Sequence, residues 1–157
     1  MATKTVLLVD DDENTLIFTR VALKHMGESP QLQYVANGLQ ATQYLQGSGR
    51  FADRQAYPFP DLILLDLKMP VIDGFEFLNW LRSHPLFSNL PVVVLTGSTY
   101  PPDIHRAHQL GANGFVEKSG ELPDFDSALQ QTLTNFLQGP KPPPSGGISP
   151  WFSAAVF

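Results

Sequence analysis

The chain has 157 residues, of which 43% are hydrophobic, so it is long enough for one domain with a buried core. Fifteen acidic residues against ten basic ones give a net charge of −5, which predicts no general nucleic-acid binding. The absence of cysteine excludes disulfides, thiolate metal sites and cysteine nucleophiles. The apolar runs are too short to span a membrane and the opening residues do not resemble a secretory signal, so we expect a cytoplasmic protein without membrane contact.

Five short apolar runs predict the strands of a sheet. They are residues 6–9, 32–36, 62–65, 92–95 and 115–116. Runs that are apolar throughout predict strands covered by helices on both faces, as in a parallel sheet. The runs at 32–36 and 115–116 are weaker, and we interpret them as edge strands.

Helical patterns separate these runs and predict five helices. The first is expected over about residues 13–26, with Ile17 and Val21 four residues apart on one face. The third is expected to be capped by Asp73, since Glu76 follows three residues later as in a capping box. The fourth is expected to start after Pro101-Pro102 and to end near Gly111. The other apolar stripes are Ala41, Tyr44 and Leu45 in the second helix, Phe77, Leu78 and Leu81 in the third, and Phe125, Leu129, Leu133, Phe136 and Leu137 in the fifth.

This alternation predicts an α/β fold, a doubly wound five-stranded parallel sheet in a three-layer sandwich of (βα)5 order. Residues 47–60 are long for a connection and are interpreted as a loop. After residue 138, 8 of 19 residues are glycine or proline and Lys141 is the only charged one. We therefore predict a domain over residues 4–138 and a tail over residues 139–157, partly polyproline, whose apolar end packs on the domain or on a partner.

Polar side chains follow the predicted strands where they end. Four acids, residues 10–13, follow the first run, Asp66 follows the third, Thr96 the fourth and Lys118 the fifth. Because ligands of open α/β sheets bind at the carboxyl ends of the strands, we expect these side chains to converge.

Clustered carboxylates repel one another unless a cation lies between them, and their hard oxygens favour Mg²⁺ or Mn²⁺ over zinc. A carboxylate can also act as a nucleophile and become an aspartyl phosphate. The hydroxyl of Thr96 and the ammonium of Lys118 are suited to bind the added phosphoryl oxygens. The constellation therefore predicts metal-assisted phosphoryl transfer onto a carboxylate.

Four segments together carry a resemblance to a known family. Residues 6–14 read Val-Leu-Leu-Val-Asp-Asp-Asp-Glu-Asn, 61–74 read Asp-Leu-Ile-Leu-Leu-Asp-Leu-Lys-Met-Pro-Val-Ile-Asp-Gly, 91–97 read Pro-Val-Val-Val-Leu-Thr-Gly and 114–118 read Gly-Phe-Val-Glu-Lys. In this order, over about residues 4–138, the chain resembles the receiver domain of two-component response regulators, of the single-domain, chemotaxis-regulator-like type. The resemblance implies the flavodoxin-like fold of that family.

The resemblance also implies a role for each matching residue. Asp66 corresponds to the phosphoacceptor, which takes a phosphoryl group from the phosphohistidine of a sensor histidine kinase. Asp11 corresponds to the direct carboxylate ligand of Mg²⁺ and Asp10 to an acid that acts mainly through water. Asp66 and the backbone carbonyl of Lys68 complete the protein's share of the metal shell. No other cofactor is implied.

The remaining matches concern the response to phosphorylation. Thr96 and Phe115 correspond to the switch pair, in which the threonine turns toward the phosphoryl group and the aromatic ring rotates inward. Lys118 corresponds to the lysine that bonds the phosphate. A domain of this kind is not a turnover enzyme, and it would signal through contacts with a downstream protein, with self-association through the fourth and fifth helices as an open alternative.

Two features set the chain apart from the family pattern. Ser119 follows the lysine where the family commonly has proline. The insertion at residues 47–60 resembles single-domain regulators associated with bacterial phytochromes, which suggests a phytochrome kinase as the partner. The alternatives are a receiver-like docking module that works without phosphorylation and an aspartate-nucleophile phosphatase, although Lys68 stands where such a phosphatase typically has its second acid.

Overall fold

The structure, a computed structural model, describes residues 3–97, 100–118 and 122–138. Within these ranges the strands are β1 (Thr5–Val9), β2 (Gln31–Val35), β3 (Leu62–Asp66), β4 (Val92–Thr96) and β5 (Gly114–Glu117). The helices are α1 (Glu13–Lys24), α2 (Gly38–Gln46), α3 (Gly74–Ser83), α4 (Pro101–Gln109) and α5 (Leu122–Gln138). All strand pairs are parallel and the order is β2-β1-β3-β4-β5, so the predicted doubly wound sheet is confirmed.

The core consists of two apolar layers, one on each face of the sheet. Leu7 and Val9 of β1 face the layer packed against α2, α3 and α4, whereas Val6 and Leu8 face the layer under α1 and α5. Strands β1, β3 and β4 are buried at every position, which explains why four of the five residues in each are apolar. The weaker strands β2 and β5 are the two edge strands, as expected.

The helix starts follow from short-range capping. Asp73 caps α3, because its Oδ1 accepts a hydrogen bond of 2.9 Å from the Glu76 N–H. Asn37 caps α2 in the same way, with 2.8 Å from its Oδ1 to the Gln40 nitrogen. Helix α4 begins at Pro101 itself, rather than after the proline pair, because a first-turn proline needs no N–H partner.

The predicted apolar face of α1 is wrong at Ile17, which is 54% exposed. The buried positions of this helix are Thr15, Thr19, Ala22 and Leu23. The Thr19 hydroxyl donates a hydrogen bond of 2.7 Å to the Thr15 carbonyl, so a polar side chain is buried without an unmet donor. The other apolar pair of this helix, Leu16 and Leu23, does lie on the packed side, since Leu23 is buried and Leu16 packs against the core. Hydrophobic spacing alone ranks threonine as a surface residue and therefore misses the two buried threonines.

The segment at residues 47–60 is more ordered than the predicted loop. It contains a 3₁₀ turn, Gly49–Phe51, and the Phe51 ring is buried 5.2 Å from the ring of Tyr44. The Tyr44 hydroxyl donates to the Pro58 carbonyl at 2.7 Å, and Arg54 donates to the Leu45 carbonyl at 2.7 Å. The segment is therefore packed against α2 through its aromatic rings and two side-chain hydrogen bonds.

The predicted tail at residues 139–157 and Ser119 lie outside the described residues, so the boundary between domain and tail stays a prediction. None of the described helices is long and apolar enough to cross a membrane.

Candidate functional site

Strand order brings the acidic residues together. Strands β1 and β3 are neighbours, so Asp10, which follows β1, meets Asp66, the last residue of β3, at the carboxyl edge of the sheet. Asp10, Asp11 and Asp66 each offer a carboxylate oxygen, and these oxygens lie within 4.8 Å of one another. The predicted convergence of the first and third strand ends is confirmed by this geometry.

The run of four acids divides into two pairs with different surroundings. Asp12 caps α1, since its Oδ1 accepts a hydrogen bond of 2.9 Å from the Asn14 N–H. Glu13 is the first residue of the helix, where negative charge is favoured. Asp10 and Asp11 are the two that lie beside Asp66. Asp12 and Glu13 therefore belong to the start of α1, whereas Asp10 and Asp11 belong to the carboxylate cluster, whose role as a metal site stays a prediction.

Asp10 is completely buried and has one oxygen in an unusual state. Its Oδ1 accepts a hydrogen bond of 2.9 Å from the Asp12 N–H. Its Oδ2 lies 2.6 Å from the Lys118 Nζ in an ion pair, yet it has no hydrogen-bond partner of good geometry among the described residues. Burying a carboxylate oxygen in an apolar environment without a hydrogen bond costs free energy, and such an oxygen is suited to ligate a cation.

Asp66 lies at the rim, with 9% of its side chain exposed. Its Oδ1 is 3.5 Å from both the Lys68 N–H nitrogen and the Lys118 Nζ, so both contacts are long. Burial raises the pKa of Asp66 to about 6, and the Lys118 ammonium opposes this rise while Asp10 and Asp11 add to it. Asp66 is therefore a reachable carboxylate whose charge is only partly compensated.

Lys118 is held at the site by the end of β5. Its backbone N–H donates a hydrogen bond of 2.8 Å to the Thr96 carbonyl, and this bond connects the ends of β4 and β5. Its side chain is 21% exposed and reaches Asp10 more closely than Asp66. The expectation of a cation beside Asp66 agrees with this geometry, but the closer pairing with Asp10 had no signal in the sequence.

The two residues assigned to the switch are both buried. Thr96 ends β4 and is 2% exposed. Phe115 lies in β5 beside Val94 of β4, and its ring belongs to the core layer under α2, α3 and α4. The ring is thus already in the inward position, while the roles of both residues in switching stay predictions.

A close backbone approach connects the site to α3. The Gly74 N–H donates 2.9 Å to the Leu67 carbonyl, and a Cβ on Gly74 would lie 2.5 Å from the Asp66 carbonyl oxygen. Glycine is therefore required for α3 to start against the loop that carries Lys68. Sequence reasoning did not identify this role of Gly74, although the Asp-Gly pair stood in the matching segment.

The loop between β3 and α3 contains a strained position. Val71 has φ +71°, in the region that favours glycine, and its side chain is 72% exposed. A β-branched residue in this conformation is held there by its surroundings at a cost of order 1–2 kcal/mol.

The residues present fit a hard divalent cation. Three carboxylates face a single ammonium, and one of the carboxylate oxygens lacks a hydrogen bond among the described residues. Mg²⁺ and Mn²⁺ prefer oxygen ligands of this kind.

Comparison with known proteins identifies the class of protein that this fold and site define. The family model of the response regulator receiver domain matches residues 6–130. The chain is 34% identical over 135 residues to the response regulator Rcp1 of Synechocystis sp. (strain ATCC 27184 / PCC 6803 / Kazusa), and the match covers 86% of this chain and 90% of Rcp1. This chain therefore belongs to the family of response regulator receiver domains.

Two solved structures show the same likeness in three dimensions. The phosphorylated cyanobacterial phytochrome response regulator RcpA superposes with a TM-score of 0.80 at 30% identity, covering 95% of this chain and 99% of RcpA. The Mn²⁺-bound form of Rcp1 superposes with a TM-score of 0.75 at 33% identity, covering 85% of this chain and 94% of Rcp1. The predictions of the receiver family, the flavodoxin-like fold and a signalling function are confirmed by these matches. Phosphoacceptance and divalent-metal binding are characteristic of this family, whose members act mostly in signalling rather than as enzymes.

Proposed function

We propose that this receiver domain is a phosphorylation switch in which Asp66 accepts a phosphoryl group from the phosphohistidine of a sensor histidine kinase. The observation that carries the proposal is the surroundings of Asp66. It is a largely buried carboxylate, with 9% of its side chain exposed, in a cluster whose oxygens lie within 4.8 Å of one another, and the Lys118 Nζ lies 3.5 Å from its Oδ1. Such a carboxylate can be reached by a donor and has compensating charge on the protein side.

The transfer is a displacement at phosphorus. An oxygen of Asp66 forms the new bond to phosphorus, the phosphorus–nitrogen bond of the phosphohistidine breaks, and the electron pair stays with the imidazole. The product brings further negative charge next to two other carboxylates, so the step needs positive charge at the acceptor. Lys118 supplies one such charge from the protein, within reach of the acceptor oxygen.

Mg²⁺ would supply the remaining positive charge when bound, with Mn²⁺ as a substitute of similar chemistry. The residues that would hold it are Asp11 directly, Asp10 mainly through water, Asp66, and Lys68 through its backbone carbonyl. The support for this assignment is the carboxylate cluster and the buried Oδ2 of Asp10, which is paired with the Lys118 ammonium and accepts no hydrogen bond among the described residues.

The response to phosphorylation would pass through Thr96, Lys118 and Phe115. Thr96 and Lys118 stand at the ends of neighbouring strands that are joined by the Lys118 N–H to Thr96 carbonyl hydrogen bond. A phosphoryl group that draws both side chains toward it would shift these strand ends and the helix between them. The Phe115 ring, which lies in the core layer under α2, α3 and α4, would then pack against the shifted segment and stabilise it.

The proposed partners follow from the family and the similar proteins. A histidine kinase is the phosphoryl donor for a receiver domain, and RcpA, which this chain resembles, is a phytochrome response regulator. We therefore propose a bacterial phytochrome kinase as the donor. A downstream protein in the cytoplasm would read the phosphorylated state through direct contact, without catalytic turnover by this chain and without nucleic-acid or membrane contact.

The experiment is phosphorylation by acetyl phosphate with Mg²⁺, followed by intact-protein mass spectrometry. We expect the wild-type chain to gain one phosphoryl group. The variant Asp53→Asn, which removes an exposed acid outside the carboxylate cluster, should gain one as well. Asp66→Asn should gain none, and omission of Mg²⁺ should suppress the gain. A phosphoryl group that persists in Asp66→Asn would contradict the assignment, and no gain in the wild type would favour the docking module instead.

A further inference from the structure

An apolar groove lies at the edge of the sheet opposite the acidic site. Helices α2 and α3 run antiparallel to the strands, so their C-terminal ends lie at the amino edge, where the strands begin. The groove between these ends has a volume of about 450 Å³ and is lined by Leu45, Gln46, Phe59, His84, Leu86 and Phe87. No charged residue is among the described residues that line it.

The floor of the groove is an aromatic stack. Phe59 stacks on Phe87 with ring centroids 5.6 Å apart, and Phe87 stacks on His84 at 4.3 Å. Leu86 is 79% exposed and Phe59 is 46% exposed. These two side chains give the groove an exposed apolar rim above the ring stack.

We propose that the groove binds the proline-rich segment that follows Gln138 in the same chain. This segment contains five prolines, ends with Trp151, Phe152 and Phe157 among small apolar residues, and has Lys141 as its only charge. Proline-rich segments bind aromatic-lined grooves because polyproline conformation is already ordered and loses little entropy on binding. An uncharged groove and a nearly uncharged segment are therefore matched in chemistry.

The segment starts on the correct side of the molecule. Helix α5 also runs antiparallel to the strands and ends at Gln138, at the same amino edge as the groove, although on the other face of the sheet. Extended chain covers up to about 3.3 Å per residue, so the residues between Gln138 and Trp151 reach roughly 40 Å. The sheet is about 20 Å wide, because its strands lie roughly 4.8 Å apart. The segment is thus long enough to cross the edge and enter the groove.

Covalent attachment makes even a weak contact effective. A short flexible connection gives an effective concentration on the order of mM. A groove–segment interaction with a Kd in the same range is then occupied about half of the time or more. The contact needs no phosphoryl group and no metal, so it is independent of the proposed phosphorylation.

The test uses the absence of cysteine from the chain. A nitroxide is attached to the full-length variant Ser153→Cys, and the amide signals of the ¹⁵N-labelled protein are compared before and after reduction of the nitroxide. We expect loss of the signals of Gln46, His84 and Leu86 in the nitroxide form and unchanged signals at Ile17, on α1. Unchanged groove signals would overturn the proposal.

Two further samples distinguish the source of the effect. Leu86→Lys, at a mostly exposed groove position, should restore the Gln46 and His84 signals, whereas Ile17→Lys, at an exposed apolar position outside the groove, should leave their loss intact. A mixture of nitroxide-labelled chain without ¹⁵N and ¹⁵N chain without nitroxide should show no loss. Loss of the same signals in that mixture would mean that the segment of a second copy fills the groove, which overturns the same-chain proposal.

Discussion

The amino and carboxyl edges of the sheet both bury charged side chains, but they treat them differently. At the amino edge, the Arg82 guanidinium donates to backbone carbonyls at 2.7–3.1 Å and to one side-chain amide oxygen at 2.9 Å. At the carboxyl edge, Asp10 keeps an oxygen without a hydrogen bond among the described residues, and the contacts of Asp66 with the Lys68 nitrogen and the Lys118 Nζ are both 3.5 Å long. One edge is saturated with hydrogen bonds and the other is not.

This difference separates a structural site from a functional one. Arg82 joins the end of α3 to the segments before β4 and β5, since its acceptors are the carbonyls of Ser88, Leu90 and Gly111 and the side chain of Asn113. Burial lowers the pKa of Arg82 to about 10, so it stays charged at neutral pH. The acidic edge instead holds charge that a cation or a phosphoryl group can rearrange, as expected of a site that works by binding.

The largest effect is expected from removal of the Arg82 guanidinium. Arg82→Met removes the donor from three partly buried backbone carbonyls, those of Ser88, Leu90 and Gly111, while the Asn113 side-chain oxygen keeps its hydrogen bond from the Val92 N–H. We expect a loss of about 3–4 kcal/mol in the free energy of unfolding, measured by urea denaturation. Arg82→Lys should recover little of this loss, because an ammonium cannot reproduce the planar fork. Arg20→Met, at an exposed arginine on α1, should stay within about 0.5 kcal/mol of wild type. A small effect of Arg82→Met would remove the contrast between the two edges.

The next effect concerns metal binding and pH. Since the pKa of Asp66 is raised to about 6 and a cation needs the ionised carboxylate, Mg²⁺ affinity should be independent of pH above that value. Below it, the Kd should rise by roughly tenfold per pH unit. Titration of the amide signals of residues 10–12 and 66–68 with Mg²⁺ at several pH values measures this. Equal affinity on both sides of the transition would contradict the environment assigned to Asp66.

The third prediction concerns the stability of the metal-free protein. The pKa of Asp66 in the folded protein, about 6, lies above the value of 3.8 that is usual for an aspartate. The contribution of Asp66 to the free energy of unfolding is therefore complete below the usual value and is lost as the pH rises through about 6. Asp66→Asn should therefore raise the free energy of unfolding above that pH, by about 1–2 kcal/mol, and match the wild type near pH 3–4. Thermal denaturation in chelator measures the difference. Mg²⁺ should stabilise the wild type and not the variant, and a variant that is less stable at neutral pH would contradict the prediction.

The smallest effect is expected at the strained loop beside the acidic edge. Val71→Gly places glycine at φ +71°, so we expect a gain of about 0.5–1 kcal/mol in the free energy of unfolding. Val71→Ala is the matched control, because it removes most of the exposed side chain but keeps the Cβ that causes the strain. If alanine stabilises as much as glycine, the backbone conformation is not the cause.

Much of the fold and of the acidic site could be predicted because both depend on local patterns. Fully apolar runs mark buried parallel strands, and the residue after each run lies at the carboxyl edge whatever the details of packing. Asp10, Asp66 and Lys118 could therefore be placed near one another before the structure was known. The exposure of Ile17 on α1 could not be predicted, because the helix instead buries Thr15 and Thr19, and the Thr19 hydroxyl is satisfied by the Thr15 carbonyl.

By itself the sequence determined the order of elements, the cap at Asp73, and the set of acids that meets at the carboxyl edge. Only the tertiary structure decided that Lys118 lies closer to Asp10 than to Asp66 and that Arg82 joins three segments at the amino edge. The physical reason is the nature of the partners. Capping and strand patterns act over a few residues, whereas a long flexible cation selects among distant acceptors, and the backbone carbonyls that bind Arg82 are the same chemical group at every position of the chain.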